Sequence, residues 1–347
     1  MSLTHKFLAP LGGMILGGLL LVAPGEAQKK KEPDQDTRIR VNVEMVSLPV
    51  VVTTREGQRV TDLVQQDFEV FEDGVPQEIA GFSPTDEPIS VALVLDTSGS
   101  TEQRLALIQN EAIRFTKLLH PDDSVAVLSF ANDVSLHEDF SIDRDRNARG
   151  VKETRPGGST VLYEAVWLSL EEVLKPVKER KALVLFTDGV DTASRKVSMK
   201  ETLEQSKETR ATIYSVYYNT EGDVRRGMYG GPRPTVGGYP LPGGGPTVVN
   251  PPIYGGGGGH YEYAAGHSYL TKLAENSGGT VLDALAINDI ESAFDQIARE
   301  LASQYSIGYY STNTKHDGKF RKVEVKVKKP GLVVRTKKGY NARKAAK

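Results

Sequence analysis

Asp96, Ser98 and Ser100 stand at alternate positions in VALVLDTSGS, residues 91–100, immediately after five consecutive apolar residues. A small hard cation takes a compact shell of oxygen ligands, and alternate residues of an extended turn can aim three short oxygen side chains at one point. A helix cap is the competing reading, because Ser100 or Thr101 ahead of EQRLALIQNEAIRF would serve as an ordinary N-cap. Two further stretches carry the same kinds of oxygen. In PGGSTVLYEAV, residues 156–166, Thr160 follows paired glycines and precedes an amphipathic segment; in LVLFTDGVD, residues 183–191, a second apolar run ends at Asp188-Gly189.

The elements that must position these groups alternate along the chain. Short apolar strands are expected at 90–95, 124–130, 182–187, 212–218 and near 280–282. Helix-period segments fall between and after them, at about 102–119, 161–174, 198–209, 267–276 and 288–303. Such alternation predicts an α/β domain with a doubly wound, mainly parallel sheet and helices on both faces. Ligands of such sheets bind outside the carboxyl ends of the strands. Asp96 and Asp188 both fall on that edge.

Outside this region the pattern changes. Residues 39–88 read as strands, with an Asp73-Gly74 hairpin turn in DFEVFEDGVPQEIAGFS. Residues 305–347 return to strands, with Val323, Val325 and Val327 facing one way and Glu324, Lys326 and Lys328 the other. Together the two ends are expected to build a small all-β unit with the domain 89–304 inserted between them. Within that domain, 14 Gly and 7 Pro fill half of residues 219–260, which marks a long disordered insertion with Tyr229, Tyr239 and Tyr254 scattered in it. Residues 28–38, QKKKEPDQDTR, read as a charged flexible lead.

Taken together, the three oxygen-bearing segments resemble the von Willebrand factor type A domain, whose metal-ion-dependent adhesion site consists of D-x-S-x-S, a threonine after a glycine-rich loop and an aspartate in T-D-G. The likeness covers about residues 89–304, with the segments in the family's order. It implies that Ser98, Ser100 and Thr160 offer hydroxyls to Mg2+ or Mn2+, while Asp96 and Asp188 act directly or through water. Many relatives place the threonine straight after the two glycines. Here Ser159 intervenes, and counting back from LYEA favours Thr160, with Ser159 as the alternative. The flanking DFEVFEDGVPQ and GKFRKVEVKV…GYNAR resemble a bacterial group of exported proteins related to A domains.

Two carboxylates and three neutral hydroxyls would leave the ion under-neutralised, with a position that an Asp or Glu of another protein fills in the family. The resemblance thus implies a metal-dependent protein-binding or adhesion module rather than an enzyme. It also implies that the last helix, 288–303, shifts with occupancy of the site, and this helix runs into QYSIGYY without a Gly or Pro break. A structural A domain whose metal only stiffens three loops would share every one of these residues.

Other chemistries fit less well. LVLDTSGS superficially resembles the aspartic-protease turn, but Ser98 separates Thr97 from Gly99 and the second acidic turn is T-D-G. His5, His120, His137, His260, His267 and His316 adjoin no serine-nucleophile motif; His260 and His267, flanking Tyr261 and Tyr263, have metal-ligand chemistry but sit in or beside the Gly-rich stretch. Residues 315–347 hold 13 Lys or Arg against Asp317 and Glu324, a net of +11 that could bind an anionic polymer, although exposed strand positions commonly carry lysine.

Length and composition set the outer bounds. A chain of 347 residues, 39% apolar and 25% charged with a net charge of −2, accommodates two domains and names no nucleic-acid partner by itself. Residues 1–27 read as a signal peptide: Lys6, an apolar stretch Leu8 to Pro24, and Gly25-Glu26-Ala27 ahead of a cut before Gln28. An uncleaved anchor is the alternative, but the stretch is short and broken by Gly and Pro. With no cysteine at all, disulfides and a lipid-anchored form drop out, and a periplasmic or secreted bacterial protein is expected, stabilised by its core and any bound metal.

Overall fold

The computed structural model describes residues 45–85, 87–178, 180–218, 258–284 and 287–343. The expected signal peptide, the flexible lead and nearly all of the Gly/Pro-rich insertion lie outside the described residues. Of the two units into which the chain divides, Met1–Asn42 and Val43–Lys347, every described residue belongs to the second. Among the described residues no helix is long and apolar enough to cross a membrane.

Strands β1 (Val46–Thr54), β2 (Phe68–Glu72), β3 (Val75–Gln77) and β4 (Ile79–Ser83) come first. The β2–β3 hairpin turns at Asp73 and Gly74, with φ of 49° and 83°, the left-handed pair that a two-residue turn demands. There follow β5 (Ile89–Asp96), a 3₁₀ turn Gly99–Arg104, α1 (Leu105–Leu118), β6 (Ser124–Phe130), β7 (Val134–Ser141) and α2 (Arg144–Glu153). Next come α3 (Leu162–Leu168) with a π-helical turn to Leu174, β8 (Arg180–Thr187), α4 (Met199–Glu208) and β9 (Thr212–Tyr217). The chain closes with α5 (Gly258–Ser277), β10 (Val281–Asp283), α6 (Ile287–Leu301), β11 (Gln304–Tyr309), β12 (Phe320–Val327), β13 (Leu332–Arg335) and β14 (Gly339–Asn341).

The central sheet has the order β10-β9-β8-β5-β6-β7, parallel throughout except for the antiparallel edge strand β7. This is the doubly wound α/β sheet that the sequence pattern predicts. Its middle strand explains why five apolar residues run together before Asp96. Val91, Leu93 and Leu95 pack into the core beneath α1 and α6, whereas Ala92 and Val94 pack into the other core, beneath α3 and α5. A strand buried on both faces has no polar alternate positions. Two elements escape the sequence reading: β7, and α2, which is capped by Asp143 accepting from the N–H groups of Asp145 (2.9 Å) and Arg146 (3.2 Å). Helix α5 also begins nine residues before the expected start, because the glycine-rich composition hides its first turns.

The remaining strands form two four-stranded antiparallel sheets, β13-β1-β11-β4 and β14-β12-β2-β3, so strands from both chain ends pair with one another. Their shared core includes Leu48, Val50, Phe68, Val70, Tyr305, Ile307, Tyr309 and Val323. VVRTKKGYN, which reads as one strand, is split: β13 joins β1 and β14 joins β12. Glu72 on β2 ties the two sheets together. Its buried carboxylate accepts from the hydroxyls of Tyr309 (2.8 Å), Tyr340 (2.9 Å) and Ser311 (2.6 Å).

The end of α6 is fastened to this β unit. Glu300 pairs with Arg335 of β13 and lies 3.6 Å from Arg59, which also donates to Ser303 at 3.1 Å. Arg180 of β8 donates to the Leu301 carbonyl at 2.9 Å and to the Glu87 carbonyl at 2.5 Å. A displacement of α6 would therefore be carried into the β13-β1-β11-β4 sheet.

Candidate metal centre

Four of the five candidate ligands form one hydrogen-bonded chain. Asp96, at the carboxyl end of β5, accepts on Oδ1 from the Ser98 N–H (2.9 Å) and the Ser98 hydroxyl (2.6 Å). The Ser98 and Ser100 hydroxyls are 3.2 Å apart, and Ser100 donates to Oδ2 of Asp188 at 3.1 Å. The other oxygen of Asp96 accepts from the Thr187 hydroxyl at 2.7 Å, so the chain returns to the residue before Asp188.

Capping does not account for these serines. The 3₁₀ turn after β5 has Ser98 at its N-cap without a side-chain cap bond, and α1 begins behind Arg104, again without one. Thr101 donates its hydroxyl to the Ser98 carbonyl at 2.8 Å, the opposite of a cap. The Ser98 and Ser100 hydroxyls are turned towards the two carboxylates.

Thr160 stands on the adjoining loop, 6% exposed, with its N–H donated to the Thr192 hydroxyl at 2.9 Å. The loop is stitched to the first segment by its glycines. Gly157 donates to the Thr97 carbonyl at 2.7 Å and Gly99 to the Gly158 carbonyl at 3.3 Å. A Cβ at Gly157 would lie 2.3 Å from that of Ala131, so only glycine allows this approach. Ser159, the alternative ligand, is occupied elsewhere: its hydroxyl and N–H both donate to Oδ1 of Asn132, at 2.7 and 2.9 Å.

Asp96 lies deeper than a strand-edge ligand would: it is 0% exposed, and Asp188 is 3% exposed. Burial, and then the charge of Asp188, push the Asp96 carboxyl up to about 7 despite the hydrogen bonds from Ser98 and Thr187. The donors are oxygens only, the chemistry that suits Mg2+ or Mn2+ rather than softer ions. Among the described residues no group of three or more His, Asp or Glu is gathered, so the candidate set consists of two carboxylates and hydroxyls. A divalent cation placed among them would reverse the electrostatics that now favour a proton on Asp96. The residues present fit such an ion.

The histidines hold other positions. His267 faces Asp283 at 2.9 Å and meets the Tyr217 ring edge-on, and His137 is 2.8 Å from the Ser129 hydroxyl. The side chain of His260 lies outside the described residues. One neighbour of the site carries no spacing signal: Tyr218, directly after β9, is fully buried with its ring stacked on Phe186.

Residues 91–190, which include all five candidate ligands, match the family model of the von Willebrand factor type A domain. The chain therefore carries a von Willebrand factor type A domain. Among solved structures it is similar to the vWF domain of the type V pili tip protein Mfa5 from Porphyromonas gingivalis, at 11% identity over 61% of this chain and 94% of that one, with a TM-score of 0.41. It is also similar to the conserved hypothetical protein BatB from Bacteroides thetaiotaomicron, at 16% identity, 62% and 98% coverage and a TM-score of 0.42. A von Willebrand factor type A structure from Catenulispora acidiphila aligns over 87% of this chain and 75% of its own, at 10% identity and a TM-score of 0.45. No curated protein matches the chain.

Proposed function

We propose that this chain is an exported, divalent-cation-dependent protein-binding module that captures an Asp or Glu side chain of a partner. Domains of the von Willebrand type A class are typically interaction modules rather than enzymes. The observation that carries the reading is the orientation of Ser98 and Ser100, whose hydroxyls face Asp96 and Asp188 instead of capping the helix behind them. In this reading Ser98, Ser100 and Thr160 supply neutral oxygens and Asp96 and Asp188 supply charge, directly or through water. The cation, when bound, would be a Lewis acid whose remaining coordination position a carboxylate oxygen can fill. Asp96 is held in register by Thr187 and by the Ser98 N–H, so little has to be reorganised on loading.

The basic C-terminal segment supports the competing polymer reading less well, because several of its charges are already paired within the fold. Arg335 meets Glu300, Lys338 meets Glu275 at 2.7 Å and Lys329 meets Asp67 at 3.4 Å.

The test is thermal unfolding of the chain in Mg2+, in Mn2+ and in EDTA, for the wild type, Asp96→Ala and Thr160→Ala. Cation at 100 times its dissociation constant adds about 2.7 kcal/mol of stability. The rise is expected in the wild type and in neither variant. A wild type that melts identically with and without either ion would defeat the reading.

A further inference from the structure

The hydroxyl of Tyr218 is buried and hydrogen-bonds to no group among the described residues, and the residue as a whole is 0% exposed. Packing accounts for the ring but not for the oxygen. The ring stacks on Phe186 with centroids 4.4 Å apart and planes at 19°, in the core shared with Phe294, and a phenylalanine would fill the same space. Buried polar atoms are seldom left without a partner, so the oxygen calls for a specific reason.

The position of Tyr218 in the fold supplies one. Its N–H donates to the Thr187 carbonyl at 3.4 Å, and Thr187 is the residue whose hydroxyl holds Asp96 and whose successor is Asp188. The phenol is driven well above its ordinary range, first by burial and then by the charges of Asp96 and Asp188. It therefore stays a neutral hydroxyl, able both to donate and to accept, within the field of the two carboxylates.

We infer that Tyr218 is a positioning residue of the cation site, its hydroxyl hydrogen-bonding a water of the bound cation's hydration shell. The inference rests on the cation reading above. Mg2+ and Mn2+ sites of few carboxylates retain several waters, and partners of that outer layer orient the ligands and set affinity. Thr187 and Tyr218 would then brace the site from neighbouring strands, one through Asp96 and the other through water.

The experiment titrates the full chain with Mn2+, following the free ion by electron paramagnetic resonance, for the wild type, Y218F and F186L, and melts each protein in EDTA. Y218F is expected to bind Mn2+ about 10- to 100-fold more weakly while melting in EDTA no lower than the wild type. F186L, which disturbs the stack but keeps the hydroxyl, is expected to melt lower and bind like the wild type. Equal affinity in Y218F and wild type overturns the role of Tyr218 and leaves the cation reading standing. Equal weakening in Y218F and F186L assigns the effect to packing and overturns it too, as does a Y218F protein that no longer folds. A wild type that takes up no Mn2+ removes the cation reading and this inference together.

Discussion

Gly189 and Gly266 meet backbone to backbone: a Cβ on Gly266 would lie 2.6 Å from the Gly189 carbonyl oxygen, and one on Gly189 would lie 2.8 Å from the Gly266 carbonyl carbon. Gly189 follows Asp188 in the T-D-G turn, at φ +78°, and Gly266 lies in α5. The helix thus sets the height of the turn that presents Asp188. Gly266→Ala should force the two apart, costing about 1–3 kcal/mol by overpacking and weakening Mg2+-dependent stabilisation as Asp188 moves. Melting with and without Mg2+ separates the two effects, and a variant with unchanged response to Mg2+ would show that the turn does not depend on α5.

Asp96 and Leu93 lie on one strand, both 0% exposed, yet their removal should read differently. Leu93→Ala leaves a cavity and costs roughly 2–5 kcal/mol while keeping the Mg2+ response. Asp96→Ala removes a carboxylate that burial disfavours, so it should abolish the Mg2+ response and lower the melting point in EDTA by less than Leu93→Ala does. Comparable losses in EDTA would make Asp96 a structural residue.

The pH dependence has a defined sign. Asp96 titrates at about 7 in the folded chain against an ordinary value of 3.8, so between those values the folded state holds a proton that the unfolded state has lost. Its contribution to stability is full below about pH 4 and falls as pH rises through about 7. A divalent cation competes for the same carboxylate and removes the fall. Melting curves in EDTA and in Mg2+ should converge near pH 5 and separate above pH 7. Curves that stay parallel throughout would show that proton and cation do not share Asp96.

Glu72 gives a prediction remote from the candidate metal centre. Glu72→Ala leaves the hydroxyls of Tyr309, Tyr340 and Ser311 without their acceptor, between two sheets. Each orphaned buried group costs about 1–3 kcal/mol, and losses within one network do not simply add. Urea unfolding should show Glu72→Ala destabilised by more than Tyr309→Phe, which deletes a single bond. The reverse order would mean that the carboxylate finds no net benefit in this network.

The central strands are legible because burial on both faces leaves runs such as VALVL and ALVLF with nothing polar in them, and the candidate site stands out because its oxygens sit where those runs end. Helix α2 is not legible, since only Asn147, Gly150 and Val151 of RDRNARGVKE are buried and no apolar period results; Asp143 is its available signal. The division of VVRTKKGYN between two sheets depends on β13 reaching β1 at the far end of the chain, where Arg335 meets Val51, while β14 turns back on β12, and no local pattern records that choice. The depth of Asp96 and the lone hydroxyl of Tyr218 follow from how strands stack in space, and a tyrosine in YSVYYN looks like any other core aromatic.

The pairing of the two chain ends bears on the order in which the molecule can assemble. Both neighbours of β1 are β11 and β13, and the ladder partner of β4 is β11. As the chain emerges from its N-terminus, β1 and β4 must wait through the whole α/β domain before any sheet partner exists, while β2 and β3 have only each other. Contacts of such sequence separation close slowly, and strands with open edges are exposed to the wrong partners meanwhile. Loss of the segment after Leu301 would thus cost more than four strands: it would leave β1 and β4 with no sheet partner and the β2–β3 hairpin alone, ahead of an α/β domain that must fold without them.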